Sequence, residues 1–521
     1  MGDEDGSGEG RSADDIVRAL ATGGGVLLLG FALEVGLSFV AKVVMARVLG
    51  RVDYGSVSIG IVIAANVSTV VLLGLDVGVA RFLPRRPDAA FRRGVLRAAY
   101  RVAMPLGVLA GAGIFLLADP IATQVLTDPS LAPVVRVFAV AIPLATLLKV
   151  SVGAIRGNQR ATQKALVRNV TQPVTRFGLI IVALGLGFGS LGVAWAYVGA
   201  YAAAGGLALY FVLRHTELLE AVTPTPVSRD LFSFSAPLAV TSVATLIVSG
   251  IGIDSVMLAY FTTTGAVGDY NVVYPMANLT IVVFSAFSFL FMPLLSELHS
   301  EGRTNEMGRL LQVVTKWLFL GTLPLVLGLI LVPSRVISIT FGQAYVGAAP
   351  SLSVLAVGFF VHSVLGANRG VLESAGRTRL IMLDSLAAAL VNVVLNLLLI
   401  PPLGVLGAAI ATTLAYLTLN LAYVVQGYRT LGVQPFTGSL LKPAAVAVVL
   451  VVGTFTTISA VTQLTNLLLF AVLPPLGVVY VVVILRFGGI EREELMLVLS
   501  FEERFGVDIG PLKRAAKWLM D

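Results

Sequence analysis

The sequence predicts an all-α integral membrane protein of about fourteen transmembrane helices: two pseudo-symmetric six-helix bundles (parallel repeats) followed by two C-terminal helices. Three observations lead there. The 521-residue chain is 57% hydrophobic and only 12% charged, with a mean hydropathy of +0.92. A soluble domain carries about 25% charged residues, so these charges cannot cover a water-facing surface. Long stretches hold no Asp, Glu, Lys or Arg at all: 54–75, 102–118, 177–213, 231–253, 270–296, 317–334, 385–428 and 443–485. Finally, the first part of the chain is echoed about 216 residues later.

From the N-terminus, residues 1–20 are rich in Gly, Ser, Asp and Glu and read as an acidic disordered cytoplasmic tail. Its acidic start does not fit a cleavable signal peptide. A spanning helix needs about 20 apolar residues, so the 37-, 44- and 43-residue charge-free runs each hold two helices. Each run has a breaker where a turn is needed: Gly187-Phe188-Gly189-Ser190, Pro401-Pro402-Leu403-Gly404 and Gln463-Leu464-Thr465-Asn466. The spans 24–46, 56–75, 99–118, 132–152, 165–187 and 190–213 form a first bundle within 21–215. A cytoplasmic linker, 216–230, leads to a second bundle within 231–430, built from 231–259, 268–295, 312–333, 349–371, 379–400 and 404–428. Two extra spans, 440–460 and 465–486, occupy 439–486. Residues 490–521 alternate charges with Leu495, Val498, Leu499, Phe501 and Phe505, the pattern of a cytoplasmic interfacial amphipathic helix.

The charges set the orientation. With the N-terminus in the cytoplasm, 30 of the 36 Lys and Arg residues fall in inside loops and tails. Only Arg47, Arg51, Arg136 and Arg335 fall outside, while Lys42 and Arg176 lie within spans. This is the positive-inside pattern, and an even helix count then puts both termini of this multi-pass cell-membrane protein in the cytoplasm. The net charge of +7, including the run Arg81, Arg85, Arg86, Arg92, Arg93, Arg97 and Arg101, thus records topology rather than a nucleic-acid partner. No cysteine is present, which excludes thiolate chemistry, and His215, His299 and His362 are too scattered for a metal cluster. Gly185-Leu-Gly-Phe-Gly189 follows no strand, and no P-loop exists, so no nucleotide cofactor is implied.

The repeat rests on several matches in order. Gly153-Ala-Ile-Arg-Gly-Asn-Gln-Arg160 has the spacing of Gly370-Val-Leu-Glu-Ser-Ala-Gly-Arg377. Asp53-Tyr54 recurs as Asp269-Tyr270, and Leu191-Gly192-Val193-Ala194 as Leu406-Gly407-Ala408-Ala409. Six helices per copy is even, so both copies run the same way, related by an axis along the membrane normal. Paired bundles with a cleft between them are an alternating-access transporter layout.

Within this frame, Ala46-Arg-Val-Leu-Gly-Arg-Val-Asp-Tyr-Gly55 resembles the marker of the polysaccharide-biosynthesis (O-antigen-type) flippases of the multidrug/oligosaccharidyl-lipid/polysaccharide exporter superfamily. Gly74-Leu-Asp-Val-Gly-Val-Ala-Arg81, Ala154-Ile-Arg-Gly157, Ile253-Asp254 and Val267-Gly-Asp-Tyr270 are similar to that family's pattern as well. The resemblance implies a carrier, not an enzyme, that moves polyprenyl- or dolichyl-(pyro)phosphate-linked oligosaccharide from the cytoplasmic to the outer leaflet. Its partners would be the lipid-linked oligosaccharide, membrane lipid and Na+ or H+ as coupling ion. Glycosyltransferases and polymerases would be its functional neighbours.

Ionisable residues inside spans are costly and functional by default. Glu34, Ser38 and Lys42 recur every four residues and share one helix face. Asn169, Gln172 and Arg176 share another, and their repeat equivalents are Ser385, Ala388 and Asn392, with Asn396 a turn further. Bonding between helices is the plain alternative for the amides, but guanidinium suits bidentate phosphate capture, which singles out Arg176. A four-residue insertion aligns Lys42 with Asp254, so the two could pair across a closed cleft. On one ideal helix Asp254 points away from the Thr241, Thr245, Ser249 stripe, unless Gly250 and Gly252 break that helix. Asp76 and Arg81 stand as gate residues or topology markers.

Two rivals remain. A multidrug antiporter of the same superfamily would use an acidic cation pocket, for which Glu34 and Asp254 are available. A membrane glycosyltransferase or polymerase would need acidic residues on long outer loops, and these loops offer only Asp53, Asp119, Asp128 and Asp269.

Overall fold

A computed structural model describes residues 13–248, 251–436, 438, 441–461 and 466–488. Among them every regular element is helical. The first half contains α1 (Ala13–Val71), α2 (Leu75–Phe82), α3 (Ala89–Leu116), α4 (Ala118–Pro120), α5 (Ala132–Gly157), α6 (Ala161–Ala165), α7 (Gln172–Gly185) and α8 (Gly189–His215). The second contains α9 (Ser228–Val248), α10 (Ile251–Phe261), α11 (Thr264–Asn278), α12 (Thr280–Ser300), α13 (Thr304–Leu331), α14 (Pro333–Thr340), α15 (Ala349–Leu365), α16 (Asn368–Ser374), α17 (Thr378–Leu403) and α18 (Val405–Leu431). They are followed by α19 (Leu441–Val461) and α20 (Asn466–Gly488). Among the described residues, nine helices are long and apolar enough to cross a membrane.

Breaks fall where backbone chemistry requires them. α1 is divided at Gly50, whose φ of 77° and ψ of 179° no other residue adopts without strain. The expected span 231–259 is helical on both sides of residues 249–250, which lie outside the described residues, as α9 and α10. Among the described residues helix begins at Ala13, within the stretch 1–20 expected as an acidic tail. Residues 1–12 and the expected amphipathic helix at 490–521 lie outside the described residues.

Two turns share one geometry. After α5, the Gln159 amide donates to Arg156 O (3.0 Å) and the Arg160 amide to Ile155 O (3.3 Å), with Gln159 at φ 57°. After α16, Gly376 donates to Glu373 O (3.0 Å) and Arg377 to Leu372 O (2.9 Å), with Gly376 at φ 68°. Both are Schellman caps that satisfy the last helical carbonyls. Gly189 before α8 and Gly404 before α18 likewise have φ of 57° and 55°.

In the first half α5 packs against α1, α2, α3 and α8; in the second α18 packs against α15 and α17. α19 and α20 dock on α13, where the Tyr480 hydroxyl donates to Leu320 O at 2.6 Å. The connection 216–227 is tied to α3: Arg92 pairs with Glu217 at 2.7 Å, and the Thr225 amide donates to Ala90 O at 3.0 Å. The halves meet along α1 and α11 at the end carrying Gly50, and along α2 and α9 at the opposite end.

Candidate functional site

Asp254, on α10, is fully buried. Burying a carboxylate is expensive unless donors replace its water, and three helices supply them. Thr412 Oγ1 of α18 donates at 2.5 Å, Asn396 Nδ2 of α17 at 2.6 Å, and the Tyr270 hydroxyl of α11 donates as well. Asn396 Nδ2 also donates to Asn392 Oδ1 at 3.1 Å. Asn392 Nδ2 and Asn396 Oδ1 make no hydrogen bond. The sequence singled out Asp254, Asn392 and Asn396 but expected them on a cleft face, with Asp254 facing Lys42. Instead Asn392 and Asn396 are enclosed in the second half, and Lys42 and Asp254 form no ion pair, because neutral donors on neighbouring helices already satisfy the carboxylate. Tyr270 was noticed only within the repeat and family motifs, and nothing in the sequence marked Thr412.

The first half carries the cations. Arg176 donates from Nη2 to Ser38 Oγ at 2.6 Å, and its guanidinium lies 5.5 Å from the Tyr197 ring centre. Its Nε is buried without a partner. Glu34 shares the Ser38 and Lys42 face and sits within the field of Arg168, Arg176 and Lys164. A π-helical turn, Leu166–Thr171, immediately precedes Gln172 and re-aims Asn169 toward α1, where a Cβ on Gly30 would lie 3.3 Å from Asn169 Cβ.

At the Gly50 end the halves are sealed. Arg51 grips Asp269 with both nitrogens, Nε at 2.8 Å and Nη2 at 2.5 Å. The Tyr54 hydroxyl donates to Asn271 O (3.1 Å), Tyr345 to Ala46 O (2.9 Å) and Arg47 Nε to Thr340 O (2.7 Å). The backbones touch here: a Cβ on Gly55 would lie 2.1 Å from Thr264 O, and one on Gly268 2.2 Å from Arg51 O. Beside them Asp128 accepts from Ser130 Oγ and Thr264 Oγ1, both at 2.6 Å. Partial burial pushes the Asp128 carboxyl up, but these bonds outweigh it and hold it below the usual carboxylate range. Arg51 and Asp269 were missed as a pair, although the Asp53-Tyr54/Asp269-Tyr270 repeat pointed at both segments.

At the opposite end a cavity of about 340 Å³ separates the halves, lined in part by Thr69, Thr241, Ser242, Thr245 and Arg369. Behind it Lys149 donates to Thr69 Oγ1 (2.6 Å), Ser68 Oγ (2.8 Å) and Ala65 O (3.0 Å). Of the gate candidates, Arg81 reaches across the halves to the Phe234 ring, 5.3 Å away. Asp76 opens α2, its backbone against Gly153 of α5.

Residues 20–299 match the family described as polysaccharide biosynthesis protein. An uncharacterized membrane protein of Methanocaldococcus jannaschii is 32% identical over 192 residues, 36% of this chain and 37% of that protein. A probable low-salt glycan biosynthesis flippase of Haloferax volcanii is 24% identical over 192 residues, 36% of this chain and 40% of that protein. The matched stretch thus spans well under half the length of these relatives. The structure of the lipid II flippase MurJ in an inward closed conformation superposes with a TM-score of 0.70 at 12% identity, covering 92% of this chain and 99% of that one. An inward-facing multidrug resistance transporter of the MATE family gives 0.63 at 15% identity, covering 78% and 94%. At these identities the likeness is one of fold.

Proposed function

The chain belongs to the polysaccharide biosynthesis protein family, and on that premise we propose that it is an alternating-access flippase for lipid-linked oligosaccharide. It carries a polyprenyl- or dolichyl-(pyro)phosphate-linked glycan from the cytoplasmic to the outer leaflet. The observation that carries this reading is an interface closed by Arg51–Asp269 at the Gly50 end, with a cavity lined by Arg369 and hydroxyls between the halves toward the other end, where α2 packs on α9. The phosphate of such a substrate cannot cross about 30 Å of hydrocarbon unaided. Lys42 and Arg176 offer charge within the spans, and the orphaned Arg176 Nε is a donor ready for a phosphate oxygen. The similarity to a probable low-salt glycan biosynthesis flippase of Haloferax volcanii supports the substrate class. Asp254 is then the carboxylate whose charge changes across the cycle.

Fourteen crossings follow if the limbs of α1 count as two and α9–α10 and α11–α12 as one each. The matching Schellman caps and the paired positive-φ glycines before α8 and α18 support two parallel repeats, 21–215 and 231–430. The Gly50 end then faces outward, with both termini in the cytoplasm.

The test is surface delivery of the glycan in cells lacking the chain and complemented with variants, with membrane abundance measured in parallel. Arg176→Ala should abolish delivery, while Arg176→Lys, which keeps charge but loses the planar fork, should retain part. Full delivery by Arg176→Ala at normal abundance would remove the phosphate assignment, and full delivery without the chain would remove the flippase reading. The buried Asp254 also favours a second reading, a cation antiporter; on that reading deletion would raise sensitivity to cationic drugs and leave the glycan intact.

A further inference from the structure

A second buried carboxylate stands where α17 meets α18, apart from Asp254. Asp384 of α17 is 6% exposed and accepts on Oδ1 from Gln426 Nε2 of α18 at 2.6 Å. The other atom of each group is stranded: Asp384 Oδ2 and Gln426 Oε1 are both buried and make no hydrogen bond. These two side chains already touch, yet neither stranded oxygen can serve the other while the carboxyl is ionised, since both are acceptors. Among the described residues Gln426 is the only side-chain hydrogen-bond partner of Asp384, and no Lys or Arg forms an ion pair with it.

One added proton resolves both vacancies. On Oδ2 it makes the carboxyl a donor toward Gln426 Oε1, so that acid and amide meet edge to edge through N–H···O on one side and O–H···O on the other. A hard metal cation takes about six oxygens, and the stranded oxygens here are two. The charged neighbours do not answer a carboxylate either. On α16, Arg369 and Glu373 pair with each other at 2.8 Å. On α18, Tyr423 is buried and Arg429 is exposed; on α17 itself, Arg379 is exposed. Solvent screens those two arginines. α9 and α10 also pack on α17 and bring Arg229, Asp230 and Asp254. Among the described residues none of these groups bonds to Asp384.

We propose that the Asp384–Gln426 pair is a proton-binding site, the proton sitting on Asp384 Oδ2 and bonded to Gln426 Oε1, and that its loading holds the seam between α17 and α18 in the packing seen here. The step is a plain protonation: a hydronium ion gives up one proton, Oδ2 gains it, and a water molecule is left. Loss of the proton returns an ionised carboxylate with a single donor, which is costly to keep buried unless water enters the seam. Asp384 lies within about two turns of the start of α17, so the path from solvent is short. α17 packs on α9, and α9 packs on α2 of the other half. Opening the seam therefore disturbs a helix that joins the halves.

The site rests on the flippase reading only for its purpose, coupling a proton to transport, and its test needs no glycan. Infrared spectra of the whole purified protein in lipid nanodiscs at pH 7 should contain a carboxyl C=O band that is missing from Asp384→Asn. That variant keeps the fold, because its amide reproduces the proton-loaded pair with N–H in place of O–H. No such band would mean an ionised Asp384, its oxygens bridged by water or a cation, and would overturn the proposal. Gln426→Leu removes the acceptor, so the band should move to the frequency of a carboxyl without a hydrogen bond; a band that stays in place would overturn the pairing. Linkage supplies a second readout. A proton held by the folded chain and not by the unfolded one makes stability fall as pH rises. Between pH 6 and pH 8 the unfolding equilibrium of the wild type should therefore grow about tenfold per pH unit relative to Asp384→Asn, and parallel profiles would overturn the site. Failure of the flippase reading would appear in glycan delivery and leave these spectra unchanged, so the two failures are distinguishable.

Discussion

At Asp254 charge and hydrogen bonding can be separated by substitution. Asp254→Asn keeps the shape and one acceptor but removes the exchangeable charge, so glycan delivery should fall at least tenfold with membrane abundance near normal. Asp254→Ala strands the donors Tyr270, Thr412 and Asn396 in the buried second half. Each stranded group costs about 1–3 kcal/mol, so this variant should also lose thermal stability, read as earlier aggregation in size-exclusion chromatography after heating. Equal stability of the two variants would mean that the three bonds contribute little. At the sealed end, Asp128 titrates below its unfolded value because of its bonds. Its tie to Thr264 therefore holds above the ordinary carboxylate range and is lost as pH falls through the depressed value. Asp254, Asn392, Asn396, Lys42 and Arg176 stood out in the sequence because charged and amide side chains are rare inside spans. Their partners did not. Hydroxyls such as Thr412 and Tyr270 are common in membrane helices, and the contact of Thr412 with Asp254 spans 158 residues of chain. Nothing local could rank it above Lys42.

Between elements, the crossing of α1 and α11 depends on the missing side chains of Gly55 and Gly268. A methyl at either would meet a backbone oxygen at 2.1–2.2 Å, which cannot rotate away, so the helices must part. Gly268→Ala should therefore unseal this end. The readout is a cysteine placed at Val267, which is 0% exposed here, in a chain that has no other cysteine. Its labelling by a water-soluble maleimide should rise several-fold in Gly268→Ala and stay unchanged in Gly113→Ala, where nothing lies within 4 Å of the new methyl. Unchanged labelling with Gly268→Ala would show that the seal does not rest on this crossing. Helices as such were legible from charge-free runs and breakers, since length and apolarity alone define a span. The crossing was not, because glycines are frequent throughout and only the fold tells which two touch.

For the whole molecule, the proposed repeat is suggested by short motifs that recur at a nearly constant offset, and the turns at Gln159 and Gly376 share backbone geometry. How the halves lean on each other was not legible, since that depends on the long-range pairs Arg51–Asp269 and Arg81–Phe234. The proposed orientation makes a prediction that the cysteine-free sequence allows to be tested directly. Contacts group exposed positions by end: Gly187 and Gln343 lie beside segments at the Gly50 end, whereas Pro87 and Glu220 flank the connection bound to α3. Single cysteines at Gly187 and Gln343 should react in intact cells with a maleimide that cannot cross the membrane. Those at Pro87 and Glu220 should react only after the membrane is opened. Fourteen crossings in two parallel repeats require this division, because an even number of spans must separate Pro87 from Glu220 and an odd number Gly187 from Glu220. Labelling of Glu220→Cys and Gly187→Cys from the same side would leave an even number of crossings in α8, and the parallel-repeat topology would fall with it.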